Sequence, residues 1–293
     1  MGFAKLNEDI QSVVAKAGES VVEVRARRRT PSSGVAWPGD SLVVTALHTV
    51  EEEEGIEIRT TRGESFPAEI AGRDPSTGIA LLRAKKASFA IPAWGDTAKL
   101  EPGEVLVLVA SSSFGRRVSL TTASVVSGEW TTDQGGRIDR YLETDARLFP
   151  GFSGSLLLAA DGRALALNTA GLRRRTPLAI PVETLRRVVA SLLEHGEVRR
   201  GFLGITTYPI RLPDFVKSQR SGLLVLSVSG GSPAEKAGLF LGDVLLAIDG
   251  RSVDSPAALF SVLGEERIGN TLEARILRTG KEESVSVVVG SRS

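Results

Sequence analysis

The 293-residue sequence predicts a mainly β protein in two parts, a strand-rich N-terminal part and a smaller mixed α+β part behind it. Three observations predict this. Short apolar runs recur between residues 21 and 169, each broken by Gly, Pro or Asp, which is the pattern of an all-β barrel or sandwich pair. A polar stretch, Glu194-His195-Gly196-Glu197-Val198-Arg199-Arg200-Gly201, then reads as a linker. Beyond it, strand-like runs alternate with serine-proline helix starts.

Taken in order, residues 7–18 read as an amphipathic helix with Ile10, Val13, Val14 and Ala17 on one face, Asn7 as its cap and Gly18 as its end. Val21 to Arg25 alternates as a strand does. Strands are expected at 34–37, 41–45, 56–60, 66–71, 79–83, 105–110, 118–126, 141–144, 156–159 and 164–169. Thr184 to His195 has Leu185, Val188, Val189 and Leu192 on one side and reads as a helix, with Gly196 as its C-terminal cap. In the second part, strands are expected at 223–228, 243–248, 272–277 and 284–289. Short helices are expected behind Ser232-Pro233 and Ser255-Pro256. The implied domains are a helical segment at 1–20, a β domain at 21–195 and an α+β domain at 196–293.

Composition narrows the chemistry. With 36 basic and 35 acidic residues the net charge is +1, so no general attraction to nucleic acid or anionic membranes is expected. The chain has no cysteine, which excludes disulfides, a cysteine zinc site and a thiol nucleophile. It has two histidines, His48 and His195, too few for a multi-histidine metal site, and no metal or other cofactor is expected. No apolar stretch reaches membrane-span length. Residues 1–10 show no signal-peptide core, so a cytosolic chain, or one whose leader has been removed, is expected.

Two windows carry candidate chemistry. Ser153 sits between glycines in Phe149-Pro150-Gly151-Phe152-Ser153-Gly154-Ser155, ahead of the apolar run 156–160. The window reads either as a Gly/Ser turn with a capping serine or as an exposed nucleophile, with Gly151 and Ser153 N–H groups as oxyanion donors. It is not the G-x-S-x-G elbow of α/β-hydrolases, because Ser155 stands where the second glycine belongs. His48, in Thr45-Ala46-Leu47-His48-Thr49-Val50, reads either as a capping or surface histidine or as the base for Ser153.

On these windows the chain resembles the HtrA/Deg family. The His48 window is similar to the histidine motif of chymotrypsin-fold proteases. Thr144-Asp145-Ala146 and Pro150-Gly151-Phe152-Ser153-Gly154 resemble the family's serine motif, and Asn168-Thr169-Ala170 with Leu178-Ala179-Ile180-Pro181 resembles its specificity-pocket segment. Arg200-Gly201-Phe202-Leu203-Gly204-Ile205 looks like the carboxylate-binding loop of a PDZ domain. Gly231-Ser232-Pro233-Ala234-Glu235-Lys236-Ala237-Gly238-Leu239, Gly242-Asp243-Val244-Leu245 and Ile248-Asp249-Gly250 are similar to the PDZ run that follows.

The resemblance implies a chymotrypsin-like double β-barrel followed by a PDZ domain. It implies binding of unfolded polypeptides or protein C-termini in quality control, a homotrimer and a periplasmic or other extracytoplasmic setting. It implies His48 and Ser153 as catalytic pair, Gly151 and Ser153 as oxyanion hole, and the N–H groups of Phe202, Leu203 and Gly204 as carboxylate site beside an added peptide strand. Leu259 and Leu263 would either wall the side-chain pocket or belong to the core.

The sequence also departs from the family. Thr77-Gly78-Ile79-Ala80 places Gly78 where the resemblance puts the triad aspartate, and loss of that acid costs about 10⁴ in kcat, or about 5–6 kcal/mol. Asp74 is the nearest acid in sequence, at a position that is structural in the family, and a side chain from elsewhere or water would be left to orient His48. Phe152 and Ser155 replace smaller family residues, and Phe152 is expected beside the nucleophile. Impaired or lost hydrolysis is therefore expected, against the alternative of an active ATP-independent endopeptidase. Of the weaker features, Glu51–Glu54 read as a solvated face, Arg173–Arg175 as a loop near the specificity pocket, and 128–140 as the loop that relays PDZ occupancy in relatives.

Overall fold

The computed structural model describes residues 3–28, 30–113, 115–173, 176–198, 200–213, 216 and 219–292. Its contacts divide the chain into two units, Met1–Trp130 with Arg137–Glu197, and Thr131–Gly136 with Val198–Ser293.

The first unit begins with α1 (Phe3–Gly18), which starts upstream of Asn7, so Asn7 lies inside the helix and does not cap it. Six strands follow, β1 (Val21–Arg25), β2 (Ser32–Trp37), β3 (Leu42–Ala46), β4 (Ile56–Arg59), β5 (Ser65–Asp74) and β6 (Ile79–Ala84). They close into an antiparallel barrel in the order β1-β2-β3-β6-β5-β4. Alternation decides what fills it: Val22, Val24, Val43, Ile56, Ile58 and Leu82 point inward and form one apolar cluster.

β7 (Val105–Ser112) and β8 (Gly115–Ser127) form a long hairpin; β9 (Trp130–Thr131) and β10 (Arg137–Ile138) form a short one. With β11 (Tyr141–Thr144), β12 (Leu156–Ala159), β13 (Ala164–Thr169) and β14 (Leu178–Pro181), the long hairpin closes a second six-stranded barrel, β11-β14-β13-β12-β7-β8. Leu106, Leu108, Leu142, Leu157 and Leu165 fill its interior. α2 (Val182–His195) buries the face foreseen from its spacing and stops where Gly196 takes φ +75°, its N–H closing on the Leu192 carbonyl. The first unit thus has two closed barrels, the chymotrypsin-like architecture.

The second unit contains β15 (Arg200–Phe202), β16 (Ile205–Arg211), β17 (Ser221–Val228), α3 (Pro233–Lys236), β18 (Val244–Ile248), β19 (Arg251–Ser252), α4 (Pro256–Val262), β20 (Thr271–Arg278), β21 (Lys281–Val288) and β22 (Gly290–Arg292). The sheet runs β16-β17-β18-β20-β21, so β16 is an edge strand. Both short helices carry the caps read from sequence: Ser232 Oγ accepts from Glu235 N–H and Ser255 Oγ from Ala258 N–H, each with proline at the first turn. This is a PDZ arrangement of sheet and helices.

Candidate active site and peptide-binding edge

The serine loop is built by two left-handed glycines, Gly151 at φ +90° and Gly154 at φ +84°. Gly154 is pressed so closely on the other barrel that a Cβ there would overlap the Ser33 carbonyl oxygen. Its N–H donates to the Asn168 carbonyl at 2.8 Å. Ser33, on β2, reaches back: its N–H donates to the Ser153 carbonyl at 3.1 Å and its hydroxyl to the Gly151 carbonyl at 2.7 Å. Ser33 Oγ also accepts from Ser111 N–H at 2.9 Å. Sequence reasoning missed Ser33, since an apolar strand with two serines carries no signal of its partner 118 residues away.

With its carbonyls tied down, the loop leaves two donors uncommitted. Among the described residues the N–H groups of Gly151 and Ser153 donate to no protein acceptor, whereas Phe152 N–H is spent on the Phe149 carbonyl at 3.0 Å. A loop of this kind can present two N–H groups to an oxyanion. Ser153 is nearly buried, at 8% exposure, and its hydroxyl accepts from Ala170 N–H at 3.2 Å.

Phe152 corrects the expectation from sequence. It does not stand beside the nucleophile; it is buried in the second barrel's core, edge-on to Phe149 at 5.7 Å, and Arg117 lies over the Phe149 ring at 4.6 Å. The turn between Gly151 and Gly154 sends the 152 side chain into that core, and the residues on either side of it are buried as well. Ser155 is fully buried, and its hydroxyl accepts from Asn168 Nδ2 at 3.1 Å.

His48 sits on a single 3₁₀ turn, Leu47–Thr49, behind β3. Leu47 N–H donates to the Gly78 carbonyl at 2.8 Å, which brings Gly78 beside the histidine turn. Gly78 takes φ +71°, and the space a Cβ would enter there is met by the side chain of Leu172, 3.3 Å away. The Cβ direction of residue 78 is therefore met by a leucine side chain. The Nδ1 edge of His48 faces Gly171 so closely that a Cβ on Gly171 would overlap it.

Asp74, the nearest acid in sequence, is buried and accepts from Ser76 N–H and Oγ and from Thr77 Oγ1, at 3.0, 2.5 and 2.6 Å. Asp145 accepts from Thr121 Oγ1 and Thr122 N–H, and these bonds hold its pKa below the ordinary carboxylate value. Among the described residues the His48 imidazole has no hydrogen bond and no ion pair. Its ring keeps an exposed edge, yet desolvation of the packed part lowers its pKa, and the Arg27 charge lowers it further.

His48 and Ser153 thus lie against two consecutive residues, Gly171 and Ala170, with Leu172 next in line on Gly78. Leu172 carried no signal in sequence, being one leucine in a polar loop. Of the arginines after it, Arg173 donates to the Tyr141 hydroxyl at 3.2 Å, while Arg174 and Arg175 lie outside the described residues. Glu51, Glu53 and Glu54 are exposed, as expected. In the 128–140 loop, Trp130 packs edge-on to Tyr141 at 5.4 Å and Arg137 pairs with Glu129 at 2.7 Å.

In the second unit the strand beside the expected carboxylate site begins at Ile205, two residues after Leu203. Gly204 takes φ +82°, and among the described residues the N–H groups of Leu203 and Gly204 donate to no acceptor. Phe202 pairs with Gly290 across β15 and β22. Leu203, Leu259 and Leu263 are 3–5% exposed members of the buried cluster of this unit.

Comparison with known proteins accords with this geometry. The trypsin-like peptidase domain family matches residues 32–167 and the PDZ domain family residues 201–289. The chain is similar to "Probable periplasmic serine endoprotease DegP-like" of Marinomonas sp. (strain MWYL1), 29% identical over 283 residues, 94% of this chain and 60% of that protein. It is similar to the protein of the same name from Rhizobium meliloti (strain 1021), 32% identical over 279 residues, 92% of this chain and 55% of that protein. The chain therefore spans little more than half the length of these relatives. Among solved structures, the serine endoprotease from Yersinia pestis has TM-score 0.76 at 25% identity, covering 97% of this chain and 98% of that one. The HtrA-type protease AlgW with a decapeptide shares the fold, with TM-score 0.78 at 22% identity over 97% of this chain and 99% of that one. The chain belongs to the HtrA/Deg family, with a trypsin-like peptidase domain followed by a PDZ domain.

Proposed function

We propose that this HtrA/Deg-family chain binds unfolded polypeptides or protein C-termini in protein quality control and that its hydrolysis is impaired. The observation that carries the second half is the environment of His48. A serine attack places a positive charge on the histidine, and a triad acid both orients the ring and stabilises that charge. His48 has a glycine at its Nδ1 edge, a leucine in the acid's place, and Arg27 as the charge acting on it. A like charge and desolvation both disfavour the imidazolium the reaction must form.

One observation favours the rival reading of an active endopeptidase using His48 and Ser153. The Gly151 and Ser153 N–H groups are uncommitted, and such a hole with binding alone retains about 10³–10⁴ of rate over water when a triad member is lost. The test is a fluorophosphonate probe together with cleavage of casein, with Ser153→Ala as control. Labelling and cleavage far below those of a complete-triad relative support the proposal. Cleavage at the relative's rate, abolished in Ser153→Ala, overturns it.

The PDZ half is proposed to take a peptide C-terminus along the open edge of β16, its carboxylate meeting the N–H groups of Phe202, Leu203 and Gly204. A homotrimer and an extracytoplasmic setting are proposed with it, the latter because the relatives are named periplasmic. Val105, Val118 and Leu120 share an exposed face of the β7–β8 hairpin, apolar surface that a second copy can cover. Light scattering after size-exclusion chromatography reads the trimer directly.

A further inference from the structure

Three consecutive residues lie on the three triad positions. Ala170 N–H bonds the Ser153 hydroxyl at 3.2 Å, Gly171 covers the Nδ1 edge of His48, and Leu172 meets the Cβ position of Gly78 at 3.3 Å. Residue 171 thus faces the imidazole and residue 172 faces the Cβ direction of position 78. Leu172 is half-buried, with its side chain against Gly78.

We propose that Gly78 and Leu172 are a matched pair, in which Leu172 acts as a wedge that keeps any carboxylate at position 78 away from His48. This deepens the reading of impaired hydrolysis and rests on it. Restoring the acid alone is then insufficient. An aspartate at position 78 starts from a left-handed backbone, which aspartate tolerates better than most residues, and its Cβ lands in tight contact with Leu172, 3.3 Å from the leucine's Cδ2, so the carboxylate beyond it meets that side chain first. A carboxylate that cannot reach Nδ1 neither orients the ring nor stabilises its charge. Leu172 is a positioning residue in this account, since it touches neither Ser153 nor a substrate.

The experiment compares Gly78→Asp, Leu172→Ala and the double variant in the full chain. His48 is one of two histidines in the sequence, so its titration is separable by NMR from that of His195. In Gly78→Asp alone, His48 is expected to titrate as in the parent and labelling by fluorophosphonate to change less than about threefold. In the double variant, the proton affinity of His48 is expected to rise at least tenfold, the effect of an opposite charge within reach. Its labelling is expected to rise at least a hundredfold, out of the roughly 10⁴ a triad acid supplies. Equal gains in Gly78→Asp and the double variant overturn the proposal, as does a double variant whose His48 titrates like the parent's.

Leu172→Asp with Gly78 retained is the second arm, because position 172 is half-buried and tolerates a polar side chain better than a core site. It is expected to raise the proton affinity of His48, and no rise counts against the wedge. These titrations do not depend on turnover. A parent chain that already cleaves like a complete-triad relative would overturn the impaired-hydrolysis reading, while the wedge would stand or fall on the His48 titration.

Discussion

The Ser33 hydroxyl donates to the Gly151 carbonyl at 2.7 Å, from the barrel that does not carry the serine loop. With the Ser33 N–H on the Ser153 carbonyl, one β2 residue holds two carbonyls of the loop whose Gly151 and Ser153 N–H groups are uncommitted. Ser33→Ala strips the buried Gly151 carbonyl and Ser111 N–H of a partner. An unsatisfied buried group costs about 1–3 kcal/mol, so urea unfolding of the first unit should show a loss in that range. Fluorophosphonate labelling, if present in the parent, should fall further still, because the loop that presents the oxyanion donors loosens.

Gly154 and Gly55 make a matched comparison. Both have positive φ, +84° and +73°, but a Cβ on Gly154 overlaps the Ser33 carbonyl, while one on Gly55 meets nothing within 4 Å. Gly55→Ala should cost about 1 kcal/mol, the price of the left-handed backbone alone. Gly154→Ala adds a forced shift between the barrels and should cost about 3 kcal/mol or more. Equal midpoints in thermal melts of the two variants would show that the barrel junction is looser than described.

His48 should make stability fall toward acid. Desolvation and then Arg27 lower its folded pKa below the unfolded value of about 6.5, so between the two values the unfolded chain holds more protons. Stability is therefore complete above about pH 6.5 and declines as pH drops through that interval. His48→Gln should flatten this part of a urea-midpoint profile. Arg27→Met should raise the proton affinity of His48 in an NMR titration, because it removes a like charge.

In the PDZ unit, Arg278 bonds both carboxylate oxygens of Asp243, Nε at 2.8 Å and Nη2 at 2.6 Å. Burial pushes the Asp243 pKa up, but the Arg278 hydrogen bond, the Phe240 N–H and the Arg278 charge outweigh it and lower the pKa. Asp243→Asn removes the buried carboxylate and leaves Arg278 with only the more exposed Glu283, so it should destabilise the unit by about 3 kcal/mol, the low end for a buried pair because the arginine keeps a wet edge and a second acid. With the folded pKa below the unfolded one, the pair's contribution is present above about pH 4 and is lost as pH falls through the folded value. A variant whose acid unfolding matches the parent's would show the pair to be idle.

A peptide with a free C-terminus should bind the chain at least tenfold more tightly than its C-terminal amide. The carboxylate would take charge-assisted bonds from the Leu203 and Gly204 N–H groups, worth about 1.5–3 kcal/mol, and the amide loses the charge. Fluorescence anisotropy with both peptides reads the difference; equal affinities would remove the carboxylate site from the proposal.

Much of the fold was readable because its signals are local. β1, β11, β12 and β13 lie where the sequence placed them, β12 as a continuous apolar run, as a strand buried on both faces leaves, and β1 by its alternation. β16 was not read as a whole. Thr206, Tyr208 and Pro209 are exposed, and an edge strand needs neither alternation nor a full set of N–H donors. β5 runs on to Asp74 through Pro67 and Gly72, residues that break a strand pattern in sequence yet are tolerated there because much of the strand is exposed.

The chain's own residues determined the two-part architecture, the glycine turns around Ser153, the helix caps at Ser232 and Ser255, and the lack of an aspartate at position 78. Each is settled within a few residues by backbone conformation, alternation or a side-chain cap. Barrel closure decided what faces His48. Gly171 and Leu172 come from more than a hundred residues downstream, Ser33 bonds Gly151 directly from 118 residues upstream, and Phe152 turns into the core. Contacts of that kind depend on how two closed sheets meet, and no local pattern of residue types encodes that meeting.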